Sequence, residues 1–381
     1  LDAVSSLERL YQLTDRPKEL TETLVRKAEI LDDLDERKAY LWRAAEIYET
    51  VLNDVEGAVG TYRRIVEVDD SEVAALDALI RIFVTGQRWP ELLAAYEKKA
   101  ALISDADEKK RLFFEVAAVY ESELHDNDRA IDAYNHVLEL DPTDLLAIQK
   151  LDALYTAQGR WQDLLSVLER EAELAADPDE VASYRFRVAK LHEGNLADVP
   201  RAVEIYREIL ETIPDHAPSI GALTAILRGD GAPLAAAAVL ESVYSAAGSF
   251  EPLVEVLEVQ VRHTEDVPAK LELLQRIADV NESALDRPEA AFDAMARAVA
   301  LDPRVEENLG NFERLAEGLS RWDTVVAVYD AAVGALADDP YRQVELLLRV
   351  GQIHEVQRAD ADAAIARYRA VLDVDASNAS A

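Results

Sequence analysis

The hydrophobic residues of this chain recur with the spacing of amphipathic helices. Phe113, Val116, Ala117 and Tyr120 stand at i, i+3, i+4 and i+7, a spacing that places them on one face of a helix. Short groups of Asp, Gly, Pro and Asn separate such segments, and these residues cap or break helices. No stretch of four or more residues alternates as a strand does. The pattern therefore predicts an all-α protein.

The helical segments repeat with a period of 72 residues. The segments that begin at Ala58, Ala130 and Ala202 are 72 residues apart, and the same pattern returns at Ala291 and Ala364, after 89 and 73 residues. A second marker follows offsets of 72, 72, 89 and 72 residues, at Pro17, Trp89, Trp161, Phe250 and Trp322. Two independent markers with matching offsets indicate five repeat units, of which the fourth holds about 17 extra residues.

Each unit reads as four helices, which we name A, B, C and D. In the second unit we expect them at Ser71–Val84, Pro90–Ile103, Glu108–Leu124 and Asn127–Leu140. The extra residues, near 216–232, predict one short apolar helix and a Gly-Asp-Gly turn, after which Pro233–Ala247 is helix A of the fourth unit. We therefore expect repeat units one to three over 1–214, the insertion over 215–232, and units four and five over 233–381. The insertion is expected to kink the stack or to pack across its side, leaving two rigid arms.

The C–D hairpins resemble tetratricopeptide (TPR) repeats in four columns. The small residue of helix C is Ala45, Ala117, Ala189, Ala278 and Gly351, and the aromatic position after it holds Tyr48, Tyr120, His192, Asn281 and His354. Helix D supplies an alanine, at Ala58, Ala130, Ala202, Ala291 and Ala364, and an aromatic position, at Tyr62, Tyr134, Tyr206, Met295 and Tyr368. Pro142, Pro214 and Pro303 close three of the units. The turn between helices C and D is about one residue longer than the family norm, and the A–B hairpins match less well.

The resemblance implies an all-α fold, an α-solenoid of about ten helix hairpins in five units of about 72 residues. It further implies a right-handed superhelix whose concave face is lined by helices A and C, here with one extra helix near 216–232. The chain is similar in this respect to the long TPR arrays of GC-rich bacteria. One hairpin cannot bury its own apolar face, so each must stack on the next.

The chain is strongly acidic, with 40 basic and 75 acidic residues and a net charge of −35. Such a balance excludes nucleic-acid partners, which need an excess of Lys and Arg, and disfavours anionic membranes. Segments 1–73, 74–146, 147–218, 219–307 and 308–381 carry −8, −7, −6, −9 and −5, so the charge belongs to the repeated unit. No apolar run is long enough to cross a membrane. We expect a soluble protein; the sequence does not fix its compartment, and it favours the cytoplasm only slightly over the periplasm.

Catalytic and metal-binding motifs are absent from the sequence. The chain has no cysteine, and its six histidines show no paired ligand spacing. His192 and His354 fill an aromatic packing column, and Asp126-Asn127-Asp128 predicts a helix cap rather than a calcium loop, since the later loop ligands are missing. We therefore expect no enzyme, no cofactor and no metal.

Two columns of helix C are candidate partner-binding residues in the concave groove. One follows the aromatic position and is glutamate in every unit: Glu49, Glu121, Glu193, Glu282 and Glu355. These carboxylates would meet a basic peptide, or else they pair with an arginine on the adjacent hairpin. The second column is aromatic in three units, at Trp42, Phe114 and Phe186, and could supply apolar anchors or pack between hairpins.

The leading hypothesis is a non-catalytic scaffold that binds a peptide segment or helix, basic in character, in an acidic concave groove. The alternative is a regulatory or targeting TPR module of a larger enzyme or machine. The numbering begins at Leu1 and the only methionine is Met295, so we expect a fragment or a processed chain whose array can continue. Self-association through the solenoid ends is a further expectation, because Leu1, Val4 and Leu7 are apolar.

Overall fold

A computed structural model describes residues 2–379, which form 21 α-helices and no strand. Within each of the two parts of the chain described below, consecutive helices pack against each other, and short turns make each pair antiparallel. The chain divides into two compact units, Leu1–Leu174 and Ala175–Ala381. The prediction of an all-α helical-hairpin repeat is confirmed within each unit.

The first compact unit contains ten helices, the A–D helices of the first two repeats and A and B of the third. They are α1 (Asp2–Leu13), α2 (Pro17–Ile30), α3 (Leu34–Thr50), α4 (Val55–Val68), α5 (Val73–Thr85), α6 (Trp89–Leu102), α7 (Ala106–Ala118), α8 (Asn127–Leu140), α9 (Leu145–Gln158) and α10 (Trp161–Leu174). Helix α7 continues as a π-helical turn over Val119–Leu124. The helices of the second repeat lie within two residues of the expected bounds, apart from this change of helix type.

The second compact unit contains eleven helices. They are α11 (Pro178–Glu193), α12 (Val199–Thr212), α13 (Ala217–Arg228), α14 (Pro233–Ala247), α15 (Phe250–His263), α16 (Val267–Ser283), α17 (Pro288–Leu301), α18 (Glu306–Leu319), α19 (Trp322–Ala335), α20 (Pro340–Gln352) and α21 (Ala361–Val374). A π-helical turn over Ile353–Gln357 extends α20.

The extra helix is α13, and α14 begins at Pro233 and ends at Ala247 as the sequence predicted. Helix α13 packs against α12 and α14, and buries Ser219, Leu223 and Leu227. The insertion expected over 215–232 lies inside the second compact unit. The two rigid arms expected on either side of the insertion stay a prediction.

The repeat is visible in the backbone of the hairpin turns. Each A–B and each C–D turn contains one residue with φ between 50° and 67°, in the left-handed region. The A–B set is Asp15, Gln87, Gly159, Gly248 and Ser320, and the C–D set is Asn53, His125, Ala197, Asp286 and Ala359. These ten positions follow the offsets read from the sequence, so the five-unit period governs the turns as well as the helices.

Helix C ends in a wider turn than helix A. The backbone N–H that follows the C–D turn donates to a carbonyl six residues earlier, as Asp54 does to Tyr48 at 2.8 Å and Asp198 to His192 at 2.7 Å. In the A–B turn the corresponding bond spans five residues, as from Arg88 to Phe83. This geometry accounts for the additional residue in the C–D turn.

Candidate functional site

The glutamate column of helix C is tied to the tyrosine column of helix D. The hydroxyls of Tyr62, Tyr134, Tyr206 and Tyr368 each donate to the glutamate thirteen residues earlier. These partners are Glu49 (3.0 Å), Glu121 (2.9 Å), Glu193 (2.7 Å) and Glu355 (2.8 Å). In the fourth repeat Met295 replaces the tyrosine, so Glu282 has no such donor. The rings of Tyr62, Tyr134 and Tyr206 are buried, so in these three hairpins the carboxylate accepts from a buried ring, whereas the ring of Tyr368 is partly exposed.

Three glutamates of the column also pair with a cation on the next helix A. Arg81 on α5 donates to Glu49 at 2.9 Å, and Lys150 on α9 lies 3.2 Å from both oxygens of Glu121. Arg314 on α18 makes a bidentate pair with Glu282, at 2.6 and 2.7 Å. These arginines hold the pKa of Glu49 and of Glu282 below the usual value for glutamate. The pairing that the sequence left open as an alternative is therefore present, and these carboxylates do not form a bare anionic ladder.

The other two glutamates lack this contact. Glu193 accepts from Lys190 on its own helix at 2.9 Å. Glu355 is exposed, and within residues 2–379 it has a tyrosine donor but no cationic partner. The column is therefore neutralised unevenly, and Glu355 is its most accessible carboxylate.

We expect the Glu282–Arg314 pair to contribute about 0.5–1 kcal/mol to stability, because bidentate geometry is favourable but both side chains are partly solvated. A double-mutant cycle of Glu282→Gln and Arg314→Ala, measured by urea unfolding, gives the coupling. The matched pair Glu29 and Arg64, with a single contact and a more exposed glutamate, should couple more weakly. Equal coupling in both pairs would contradict this reading.

The aromatic column of helix C packs against the same tyrosines. The ring centroids of Trp42 and Tyr62 are 5.3 Å apart, those of Phe114 and Tyr134 5.9 Å, and those of Phe186 and Tyr206 5.6 Å. Each of the three side chains is half-buried. Packing between helices occupies part of each ring, and the remainder is open to solvent beside the glutamate of the same helix.

Nine of the 75 acidic residues cap helices C and D. Each helix C begins after an aspartate that accepts a backbone N–H of the first turn, namely Asp33, Asp105, Asp177, Asp266 and Asp339. Asp54, Asp126, Asp198 and Asp360 do the same for helix D. Asp126 therefore acts as the predicted cap. Negative groups at these ends also interact favourably with the helix dipole.

A lysine clamps the turn between helices D and A in the first two repeats. Lys38 Nζ lies 2.6 Å from Asp69 and 3.1 Å from Glu72, and Lys110 Nζ lies 3.0 Å from both Asp141 and Asp144. The hydrogen bonds from Lys38 and Ser71 lower the pKa of Asp69 to about 2. The sequence analysis missed this clamp, although the 72-residue spacing of the two lysines was a signal.

Arginine stacks on an aromatic ring at three A–B turns, a second feature that the sequence analysis missed. The guanidinium carbons of Arg16, Arg88 and Arg160 lie 4.9–5.3 Å from the rings of Tyr11, Phe83 and Tyr155. Each arginine also pairs with a carboxylate three residues later. Cation–π contact and ion pair together fix the start of helix B.

One histidine, His354, is buried, and burial lowers the pKa of its imidazole. Among the described residues no group of three His, Asp or Glu side chains could hold a metal ion. None of the 21 helices is long and apolar enough to span a membrane.

The family model of the tetratricopeptide repeat matches residues 147–182, which include most of α9, all of α10 and the start of α11. The chain is a TPR-like helical-repeat protein. The match falls on an A–B hairpin, so the expectation that A–B hairpins resemble the family less closely is wrong for the third repeat. The A–B turn gives the physical reason: it is closed by a hydrogen bond that spans five residues, from Arg160 to Tyr155, around Gly159, and it lacks the additional residue of the C–D turn.

Similar proteins include other repeat proteins. A stretch of 180 residues, 46% of this TPR-like chain, is 26% identical to "Superkiller protein 3" of Schizosaccharomyces pombe. The match spans only 13% of the length of that protein. YrrB, described as a TPR protein with an unusual peptide-binding site, is 20% identical, with 48% of this chain and 90% of that one covered and a TM-score of 0.27. The P58(IPK) TPR domain is 13% identical over 93% and 98% of the two chains, with a TM-score of 0.26.

Proposed function

We propose that this chain is a non-catalytic protein-interaction scaffold that binds an extended segment or helix of another protein along the faces of helices A and C. TPR-like repeats are in general interaction modules rather than enzymes. One of the similar structures, YrrB, is described as a TPR protein with an unusual peptide-binding site.

The observation that carries the proposal is a partly exposed aromatic ring about two helical turns from a glutamate on the same helix. On α3, Trp42 and Glu49 are seven residues apart and therefore share a face. On α7 and its π-helical turn, Phe114 and Glu121 repeat the arrangement 72 residues later. A ring that is part packed and part open is a suitable anchor, because it is already ordered before a partner binds.

A basic partner fits these carboxylates best. Arg81 is exposed and Lys150 is partly exposed, so a lysine or arginine of the partner can share or replace their bonds to Glu49 and Glu121. The net charge of −35 would accelerate the approach of such a segment. In the second compact unit, Phe186 lies on the same helix as Glu193, and Glu282 and Glu355 complete the column.

The test is a random 12-residue peptide array probed with the wild-type chain, followed by affinity measurements on the selected peptides. We expect selected sequences rich in Lys, Arg and large apolar residues. Trp42→Leu should weaken their binding at least about tenfold, since truncated anchor residues cost more than about 1.4 kcal/mol. Trp89→Leu, a matched change on helix B, should not.

Circular dichroism of both variants checks that folding is intact. Affinity that is insensitive to Trp42→Leu, or that does not fall as salt rises, would contradict the proposed groove.

A second candidate is a TPR module within a larger assembly. Its support is that the curated relative is far longer than this chain. Comparing the peptide selectivity of the 381-residue chain with that of the protein from its full reading frame distinguishes the two candidates.

A further inference from the structure

An acid on helix A and an arginine on helix C hold the same two repeat positions in four of the five repeats. They are Glu8 and Arg43, Asp152 and Arg187, Glu241 and Arg276, and Glu313 and Arg349. The carboxylate of Glu8 lies 2.6 Å from the guanidinium of Arg43. That of Glu313 lies 3.0 Å from Arg349, and the fourth repeat forms the same pair. An ion pair between helices A and C is therefore a regular part of the repeat.

The second repeat lacks both members of this pair. Ile80 holds the position of the acid on α5, and Glu115 holds the position of the arginine on α7. The carboxylate of Glu115 lies beside the hydroxyl of Tyr96 on α6, and burial together with this carboxylate raises the pKa of Tyr96. In this repeat the negative charge therefore stands on helix C instead of helix A, and the arginine is missing.

The fifth repeat shows the arrangement with its arginine present. Tyr329 on α19 holds the repeat position of Tyr96, and its hydroxyl lies 2.8 Å from Oε1 of Glu313. Nη1 of Arg349 lies 3.0 Å from the same oxygen. Tyrosine, carboxylate and guanidinium thus meet at one point in the fifth repeat, whereas the second repeat has the tyrosine and the carboxylate alone.

The neighbouring cations of the second repeat have other partners. Arg111, one turn earlier on α7, has its Nε 3.4 Å from the carbonyl oxygen of Asp107. Nζ of Lys99 on α6 lies 2.7 Å from Asp77. Glu115 is exposed, and it has no cationic partner in the described part of the chain. Its carboxylate is therefore available to a cation from another molecule.

The side of the site that faces α5 is apolar. In the first and fourth repeats the arginine also donates to a polar side chain one turn after the acid, Gln12 at 3.1 Å or Ser245 at 3.4 Å. Val84 holds this position in the second repeat, one turn after Ile80, and is 45% exposed. Two apolar side chains and one carboxylate thus border the place that the arginine occupies elsewhere, a combination that suits an aliphatic stem with a charged end.

We propose that the bound partner segment supplies the missing arginine, and that Glu115 fixes the position of this arginine on the second repeat. The guanidinium bonds to the carboxylate of Glu115 beside Tyr96, and the stem of the arginine lies over Ile80 and Val84. Arginine is favoured over lysine because a planar guanidinium bonds to a carboxylate through two N–H groups. This assignment rests on the proposed function, since the arginine belongs to the segment bound along helices A and C.

The test uses the peptides selected on the peptide array, with each arginine replaced in turn by citrulline, which keeps the shape of the side chain and removes its charge. We expect one position at which citrulline weakens binding to the wild type about tenfold. Glu115→Gln should weaken binding by the same factor, and the two changes together should cost no more than either alone. Glu97→Gln, the same change at an exposed residue of α6, should leave affinity unchanged.

The double variant Ile80→Glu with Glu115→Arg separates loss of binding from loss of folding. It installs the acid and the arginine that the other four repeats carry, so circular dichroism and urea unfolding should show a fold at least as stable as the wild type. Its own arginine then occupies the site, and the selected peptides should bind at least about tenfold more weakly.

The outcomes distinguish this assignment from the proposed function. Binding that depends on Trp42 but not on Glu115 would overturn the assignment and leave the groove standing. Selected peptides without arginine, additive losses for Glu115→Gln and citrulline, or wild-type affinity in the double variant would overturn it as well. A peptide array without any binding peptide would overturn both proposals.

Discussion

Replacing Phe312 by alanine is expected to lower the free energy of unfolding of the second compact unit by about 3–5 kcal/mol. The side chain is fully buried on α18, with its ring 4.7 Å from that of Phe292 and 6.1 Å from that of Tyr329. Truncation leaves a cavity between three helices that belong to two consecutive repeats. Urea unfolding followed by circular dichroism measures the loss.

Tyr341→Ala is the control for this change, because it also removes an aromatic ring from the second compact unit but from a side chain that is 76% exposed. Its effect should stay within about 0.5 kcal/mol. In repeat proteins each hairpin contacts its neighbours only, so the loss for Phe312→Ala should also be local. Hydrogen exchange should accelerate in α17, α18 and α19 and stay unchanged in α2–α6. A uniform acceleration, or a loss below about 1.5 kcal/mol, would contradict the junction described here.

The repeat made most of the fold predictable. Two markers whose offsets agree to within one residue located the hairpins, and the irregular offset of 89 residues located α13. The glutamate column was found in the same way. Its partners were harder to predict, because the cation comes from the next hairpin at a variable distance along the chain: Arg81 and Arg314 follow their glutamates by 32 residues, but Lys150 follows by 29. A long, flexible side chain can reach the same glutamate from positions about one helical turn apart, so the repeat period does not fix which position holds the cation.

The wide C–D turn was anticipated only as an extra residue. The left-handed residue of this turn is not a glycine: in three repeats it is His125, Ala197 or Ala359. Glycine is the usual signal for such a backbone, and its absence here concealed the turn type from sequence reading.

Raising the pH above 10 is expected to destabilise the chain strongly. The hydroxyls of Tyr62, Tyr134, Tyr206 and Tyr368 donate to glutamates, and burial together with the adjacent carboxylate raises the pKa of each tyrosine. For Tyr62 the pKa rises from 10.0 to about 12. A raised pKa in the folded state contributes stability that is complete below the unfolded value and is lost as the pH rises through the folded value. For Tyr62 the window of loss is therefore about pH 10 to 12.

Thermal unfolding and tyrosinate absorbance, recorded together across that window, test this expectation. The absorbance of Tyr62, taken as the difference between the wild type and Tyr62→Phe, should rise only as the chain unfolds, because an ionised Tyr62 would face the carboxylate of Glu49 in the folded state. Tyr62→Phe removes the hydrogen bond, at a cost of about 1 kcal/mol at neutral pH, but it also removes one titrating group, so its stability should fall less steeply above pH 10. Tyr341→Phe, at an exposed position, should leave the slope unchanged.

General repulsion in a chain of net charge −35 would also weaken the fold at high pH, and salt separates the two causes. Repulsion between distant surface charges is screened at high ionic strength, whereas the contact between a buried ring and its carboxylate is screened much less. We expect the difference in slope between the wild type and Tyr62→Phe to persist in high salt. If that difference disappears, or if Tyr62 itself ionises near pH 10 in a chain that is still folded, the glutamate–tyrosine columns do not hold the hairpins together. The carboxylates on the helices of Trp42 and Phe114 are then freer to engage a partner than their hydrogen bonds indicate.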